Sequence, residues 1–312
     1  MATVEYIFGI LFSVLAGICF NLAPAMQKSA LSNWKQDVSF SSMKYSIRTM
    51  FADKKWVLGL MVGAFGVIPF IIAMSLVGIS VVQPVMAIGV IGLIIYSEKR
   101  LGEKLNKLAK SSIGLMIAMP FFIGLAHLSN AQSDITEPLT RNKMFIITGI
   151  LLILILGFTI LAKKYPIFYT GVIGLFYALS AYYMQAYMSM IAFSGYDFIQ
   201  DLDLIIKLAF TDPNIIIANL FFIALIIFSI LAGYTLQIGL QNLPASKCNP
   251  IQHTINNVVS ILSGILIFQQ DIGNIYFYGL GVGFGLFSIF MLGSYHLSQN
   301  NVQKNLKDEK SE

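Results

Sequence analysis

Apolar residues along the chain gather into nine stretches, near 5–27, 56–77, 79–97, 111–128, 144–162, 166–193, 214–242, 246–268 and 274–296. Each is roughly membrane-spanning in length, and none has Asp or Glu in its interior. A helix needs about 20 apolar residues to cross a hydrocarbon core of about 30 Å. Every backbone N–H in a bilayer must be paired within the chain, and the period-2 alternation of a barrel is missing from these stretches. The pattern predicts an all-α fold, a polytopic membrane helix bundle with nine transmembrane helices.

Composition agrees. Of 312 residues, 57% are hydrophobic and 11% charged, a balance ill-suited to a water-soluble chain of this length. The first stretch reads as a retained helix rather than a signal peptide. Glu5 is its only early charge, it lacks a small-residue cleavage site, and it runs on into Asn21, Pro24 and Gln27.

Charge sets the expected orientation. Lys and Arg collect in the connections at 28–55, 99–110 and 163–164, at Lys247 and in the C-terminal tail, whereas the alternate connections hold only Arg141, Lys143 and Lys207 beside several Asp and Glu. The positive-inside rule then places the N-terminus outside and the C-terminus in the cytoplasm of a multi-pass protein of the plasma or cell membrane. The net charge of +5 serves topology, and the expected partners are the lipid bilayer and a small molecule or ion, with no nucleic acid. Within 28–55, Met43, Tyr45, Ile47, Met50 and Phe51 interleave with Lys44 and Arg48, the pattern either of a surface-lying amphipathic helix or of a plain connecting helix. Cys19 and Cys248 lie near the cytoplasmic side as reduced packing residues. Residues 297–312 are polar and aperiodic, and read as a disordered cytoplasmic tail.

The chain also repeats itself. Gly17-Ile-Cys-Phe-Asn-Leu-Ala-Pro-Ala-Met-Gln27 resembles the segment Gly174 to Gln185 with a one-residue slip, and Ser80-Val-Val-Gln-Pro84 resembles Ser246-Lys-Cys-Asn-Pro250. The closing stretch around Gly114 and Gly124 matches that from Gly279 to Gly293. These matches divide the chain into a first four-helix repeat (1–128), an outer loop and spacer helix (129–165) and a second four-helix repeat (166–296). A single spacer between two four-helix units makes the repeats inverted, an arrangement found in many secondary transporters, where the site lies near the midplane between the halves.

With these features the chain resembles the drug/metabolite transporter superfamily, and within it the nine-span EamA-type and NIPA-type members. The resemblance covers roughly residues 5 to 296. It rests on Trp56-x-x-Gly59, on Ala73 through Gln83-Pro84, on Leu101-Gly-Glu103, and on Leu236-Gln237 through Asn249-Pro250 with Phe268-Gln-Gln270. It implies a multi-pass transporter with its pathway between the repeats. The family often carries an acid after the third helix of each repeat, as Glu98 or Glu103 does here, whereas the second repeat has Gln269 and Gln270, which weakens any cation site built on paired acids.

Polar residues inside lipid tend to face a bundle interior or a wet cavity. Asn249, His253, Asn256, Ser260 and Ser263 follow one another at steps of 4, 3, 4 and 3, so they share one helical face. A stripe of five including a His predicts a pathway wall; interhelical packing is the alternative. Ser229, Gly233, Gln237 and Gln241 form a second such face, Ser13, Gly17, Asn21 and Pro24 a third, and Tyr177, Ser180, Met184 and Gln185 a fourth. The expected substrate-pathway residues are Asn21, Tyr177, Gln185, Gln237, Asn249, His253, Asn256 and Ser260. Pro24, Pro84 and Pro250 are hinge candidates, with a first-turn Pro as the other reading of Pro84 and Pro250. His253 is the proton-coupling candidate within the membrane, or else a neutral hydrogen-bonding His. His127 and His296 fall at span ends. Gly59 with Gly63, and Gly279, Gly281, Gly283 and Gly285, predict close helix packing.

No Asp or Glu, no His pair at i,i+4 and no Cys-His pair lies within the spans, so no enzyme, catalytic residue, cofactor or metal site is expected. The function expected is alternating-access transport of a small polar or amphipathic organic solute. A NIPA-like magnesium or divalent-cation transporter is the rival, and a membrane receptor or structural protein the remaining class.

Overall fold

The computed structural model describes residues 2–34, 37–77, 82, 85–86, 88–103, 105–126, 135, 137–196, 201–269 and 272–308. Its elements are helical: α1 (Ala2–Leu31), a 3-10 turn (Phe40–Ser42), α2 (Met43–Ala52), α3 (Lys54–Val77), α4 (Gly89–Tyr96), a π turn (Ser97–Leu101), α5 (Lys107–Leu125), α6 (Pro138–Ala162), α7 (Phe168–Phe193), α8 (Leu202–Leu208), α9 (Pro213–Asn242), α10 (Ala245–Leu266) and α11 (Ile275–Asp308). Each of the nine predicted stretches contains a helix among the described residues. Among the described residues, four helical segments are long and apolar enough to cross a membrane: Tyr6–Leu31, Lys107–Leu125, Pro138–Ala162 and Pro213–Asn242.

Local chemistry explains the boundaries. Asn106, Asp212 and Asn274 each turn a side-chain oxygen onto backbone N–H groups opening α5, α9 and α11, which satisfies donors that a helix start leaves unpaired. Pro138 occupies the first turn of α6, where its missing N–H costs nothing, so this helix begins six residues before the predicted span. Two predicted elements come out differently. Of the stretch 79–97, the described helix is the short α4, closed by the π turn and by Gly102 in the left-handed conformation (φ 68°). Past Leu297, where a disordered tail is expected, the helical backbone of α11 continues to Asp308; Gln, Lys and Leu there are good helix formers, and neither Gly nor Pro interrupts them.

Two compact units make up the chain. The first comprises residues 1–127, 237–254 and 274–312, and the second 128–236 and 255–273. In the first, α1 packs on α3 and α4, and α5 on α11. A Cβ on Gly59 would come within 2.9 Å of Gln27, and one on Gly66 within 2.8 Å of Cys19, so α1 and α3 meet at glycines. On α11, Gly281 and Gly285 press against Ile123 and Met119 of α5, whereas Gly279 and Gly283 have nothing near them. Close packing thus uses one of the two predicted pairs.

In the second unit α6, α7 and α9 enclose an apolar core around Tyr182, Tyr183, Phe176, Phe221 and Leu179. Thr148 shares hydrogen bonds with the hydroxyls of Tyr182 and Tyr183, and Ser180 pairs with Ser229 at 2.6 Å. The outer face of α6 exposes Ile146, Ile150, Ile153 and Leu156, with Ile153 at 71%. Apolar surface of this extent is uncovered only against lipid or a partner, and together with the four long apolar segments it associates the protein with a membrane.

Candidate functional site

The first unit buries two relays of polar side chains. In the first, Asn21 on α1 donates from Nδ2 to the Gly17 carbonyl (2.9 Å), Asn249 on α10 donates to Asn21 Oδ1 (3.1 Å), and Gln252 donates to Asn249 Oδ1 (3.1 Å). All three side chains are buried. The relay ends at Gln252 Oε1, a buried oxygen without a hydrogen-bond partner among the described residues. Leaving such an acceptor dry costs about 1–3 kcal/mol.

Pro24 and Pro250 lie inside α1 and α10, Pro24 about one turn after Asn21 and Pro250 immediately after Asn249. Neither has an N–H, so the carbonyls of Phe20 and Ser246, four residues earlier, lose their usual helical donor. Pro250 therefore sits within the helix rather than in its first turn. Pro84 lies outside the described residues.

The second relay connects three helices. The indole of Trp56 on α3 donates to Gln237 Oε1 (2.8 Å), and Gln237 on α9 donates to Gln27 Oε1 on α1 (3.0 Å). An indole N–H can only donate, so it fixes which way the Gln237 amide faces. At its outer end Trp56 joins Asp53, whose Oδ1 accepts the backbone N–H groups of Lys55 (2.8 Å) and Trp56 (3.2 Å) while Oδ2 accepts the indole of Trp34 (3.0 Å). Burial raises the Asp53 carboxyl, but the Trp34 indole, the two backbone donors and the Lys55 charge prevail and hold it below its usual value. Both tryptophans of the chain therefore belong to this relay.

A cleft of about 500 Å³ opens beside the relays, lined among others by Lys28, Ser32, Arg100, Glu103 and Asn242. Two of its charges, Lys28 and Glu103, are engaged at helix ends. Lys28 donates to the Leu240 carbonyl near the end of α9. Glu103 accepts the N–H groups of Ala245 (2.7 Å) and Ser246 (2.9 Å) and the Ser246 hydroxyl (2.6 Å), capping α10 from outside its own sequence.

Of the predicted pathway residues, Asn21 and Asn249 touch directly and Gln237 forms the neighbouring relay. His253, half-buried on α10, makes no hydrogen bond to a described residue. The other four lie in the second unit. Asn256 Oδ1 accepts from Ser260 (3.2 Å), Tyr177 packs against the apolar core, and Gln185 is half-buried on α7. Gln252, Gln27 and Trp56 were not among the predicted pathway residues. Gln252 stands three residues after Asn249, a spacing that puts it on the same face, and this was the available signal. The chain matches no family model, no curated protein and no solved structure.

Proposed function

We propose that the protein is a secondary transporter of the drug/metabolite type that moves a small polar or amphipathic organic solute by alternating access. In this reading nine helices cross the membrane as two inverted four-helix repeats around a spacer helix, with the N-terminus outside. The observation that carries it is the buried amide relay joining α1 to α10 and ending on an open oxygen. Helix packing in lipid is served by one or two such groups; two relays within one unit are more than packing requires.

Amide and indole groups suit a neutral or zwitterionic solute. Mg²⁺ sheds its water reluctantly and favours carboxylate oxygen, and the two relays contain no intramembrane carboxylate. The orientation is supported by the convergence in one unit of three segments expected on the cytoplasmic side. Val38 donates its N–H to Gln241, Lys28 reaches Leu240, and Glu103 caps Ala245 and Ser246.

The test is uptake into proteoliposomes of labelled amino acids, sugars and nucleosides, with Mg²⁺ entry followed in parallel. Saturable uptake of an organic solute is expected, reduced about tenfold or more by Asn249→Ala, with the variant still inserting in the membrane. Entry of Mg²⁺ alone, or no uptake of any solute, overturns the reading.

A further inference from the structure

We propose that the solute presents an N–H or O–H group to Gln252 Oε1, and that the relay from Gly17 through Asn21 and Asn249 to Gln252 selects for that donor. This rests on the transporter reading above and names the substrate chemistry of its site.

The direction of the relay follows from its anchored end. A side-chain amide has a donor end and an acceptor end, and seen alone it can be turned either way. The Gly17 carbonyl can only accept, so Asn21 must offer it Nδ2 and turn Oδ1 to its neighbour. Asn249 must then donate to that oxygen, and its own Oδ1 is left to accept from Gln252. Reversing any one amide sets oxygen against oxygen or N–H₂ against N–H₂. The backbone thereby determines that the free end of the chain is an oxygen.

That oxygen is enclosed, with Gln252 1% exposed, and it has no partner among the described residues. The prolines add to the same polarity. Pro24 and Pro250 withdraw donors from the Phe20 and Ser246 carbonyls, one on each helix that carries the relay. Among the described residues the relay itself is rich in acceptors and contains no cation to receive a carboxylate or phosphate; Lys247, buried at the start of α10, stands outside it. An amine or hydroxyl fits this end of the site, while an anionic group brought to it meets oxygen. A site whose buried acceptor awaits a substrate donor discriminates strongly against analogues lacking one, because the acceptor is then left unpaired.

The experiment uses the full chain in nanodiscs and reads ligand binding from the thermal midpoint. Amino acids, sugars, nucleosides, succinate, sulfate and Mg²⁺ are the probes, and each binder is followed by its N-trimethyl or O-methyl counterpart. Compounds with amine or hydroxyl groups are expected to stabilise the protein, and methylation at one donor position to weaken binding about tenfold or more. Gln252→Leu removes the acceptor and should cost the same factor. Because Asn249 Oδ1 loses its donor as Gln252 Oε1 disappears, one unpaired buried oxygen replaces another and the ligand-free midpoint should stay close to the parent's; a purely structural Gln252 would lower it.

Equal binding of methylated and unmethylated probes overturns the proposal. Stabilisation only by succinate, sulfate or Mg²⁺ does so as well, as does the absence of any shift that depends on Gln252. Uptake without donor discrimination overturns this proposal and leaves the transporter reading standing. Donor-selective binding without uptake into proteoliposomes does the reverse.

Discussion

At Asp53 one residue closes α2 and opens α3. Its N–H reaches the Met50 and Thr49 carbonyls, while its carboxylate receives the first donors of α3 and the Trp34 indole. These contacts favour the ionised form, so the folded carboxyl titrates below its usual value of 3.8. A lowered folded value means stability that is fully present above the unfolded carboxylate pKa and lost as pH falls through the folded one. Asp53→Asn keeps an acceptor at the cap and removes only the charge. The variant is expected to melt below the parent at pH 7, by the few tenths to about 1 kcal/mol typical of a charge at a helix N-terminus. The gap should narrow below about pH 4 and close once the parent carboxyl is protonated. Melting curves of both proteins across pH 3–7 would show it, and a gap independent of pH would mean that the charge contributes nothing.

Between helices, whether a glycine is needed depends on what stands opposite. A Cβ at Gly17 would run into the backbone of Met86, which cannot swing aside, so Gly17→Ala should cost the 1–3 kcal/mol typical of overpacking. A Cβ at Gly283 meets nothing within 4 Å, so Gly283→Ala should be neutral or should gain up to about 0.5–1 kcal/mol from helix propensity. In detergent the thermal midpoint of the Gly17 variant should fall while that of the Gly283 variant holds or rises, and an unchanged midpoint for Gly17→Ala would contradict the packing of α1. The sequence pattern carried the elements well because the apolar stretches are long and the starts of α3, α5, α9 and α11 have a local Asp or Asn cap. It could not separate Gly281 and Gly285 from Gly279 and Gly283, since both pairs have the same spacing and only the position of α5 distinguishes them. The relays were half legible for the same reason. Asn21 and Asn249 stood out as amides within apolar runs, but the pairing of Gln27, Gln237 and Trp56 joins residues far apart in the chain.

For the molecule as a whole, the open question of topology reduces to how many helices cross between two points. If all nine predicted spans cross, six lie between Ser41 and Asn242, and both positions face the cytoplasm. If only the four segments long and apolar enough by themselves cross, three of them lie between these positions, which then face opposite sides. The contacts of Val38 with Gln241 and of Lys28 with Leu240 bring the two regions together in one unit and favour the even count. The chain also suits a thiol test, because its two native cysteines are both buried, whereas Ser41, Asn142 and Asn242 are exposed. In intact cells a membrane-impermeant maleimide should label Asn142→Cys and spare Ser41→Cys and Asn242→Cys, both of which should react once the membrane is opened. Labelling of Asn242→Cys without Ser41→Cys would leave an odd number of crossings between them. Two inverted four-helix repeats could not then be built from this chain, and the alternating-access reading would lose its architecture whatever the relays bind.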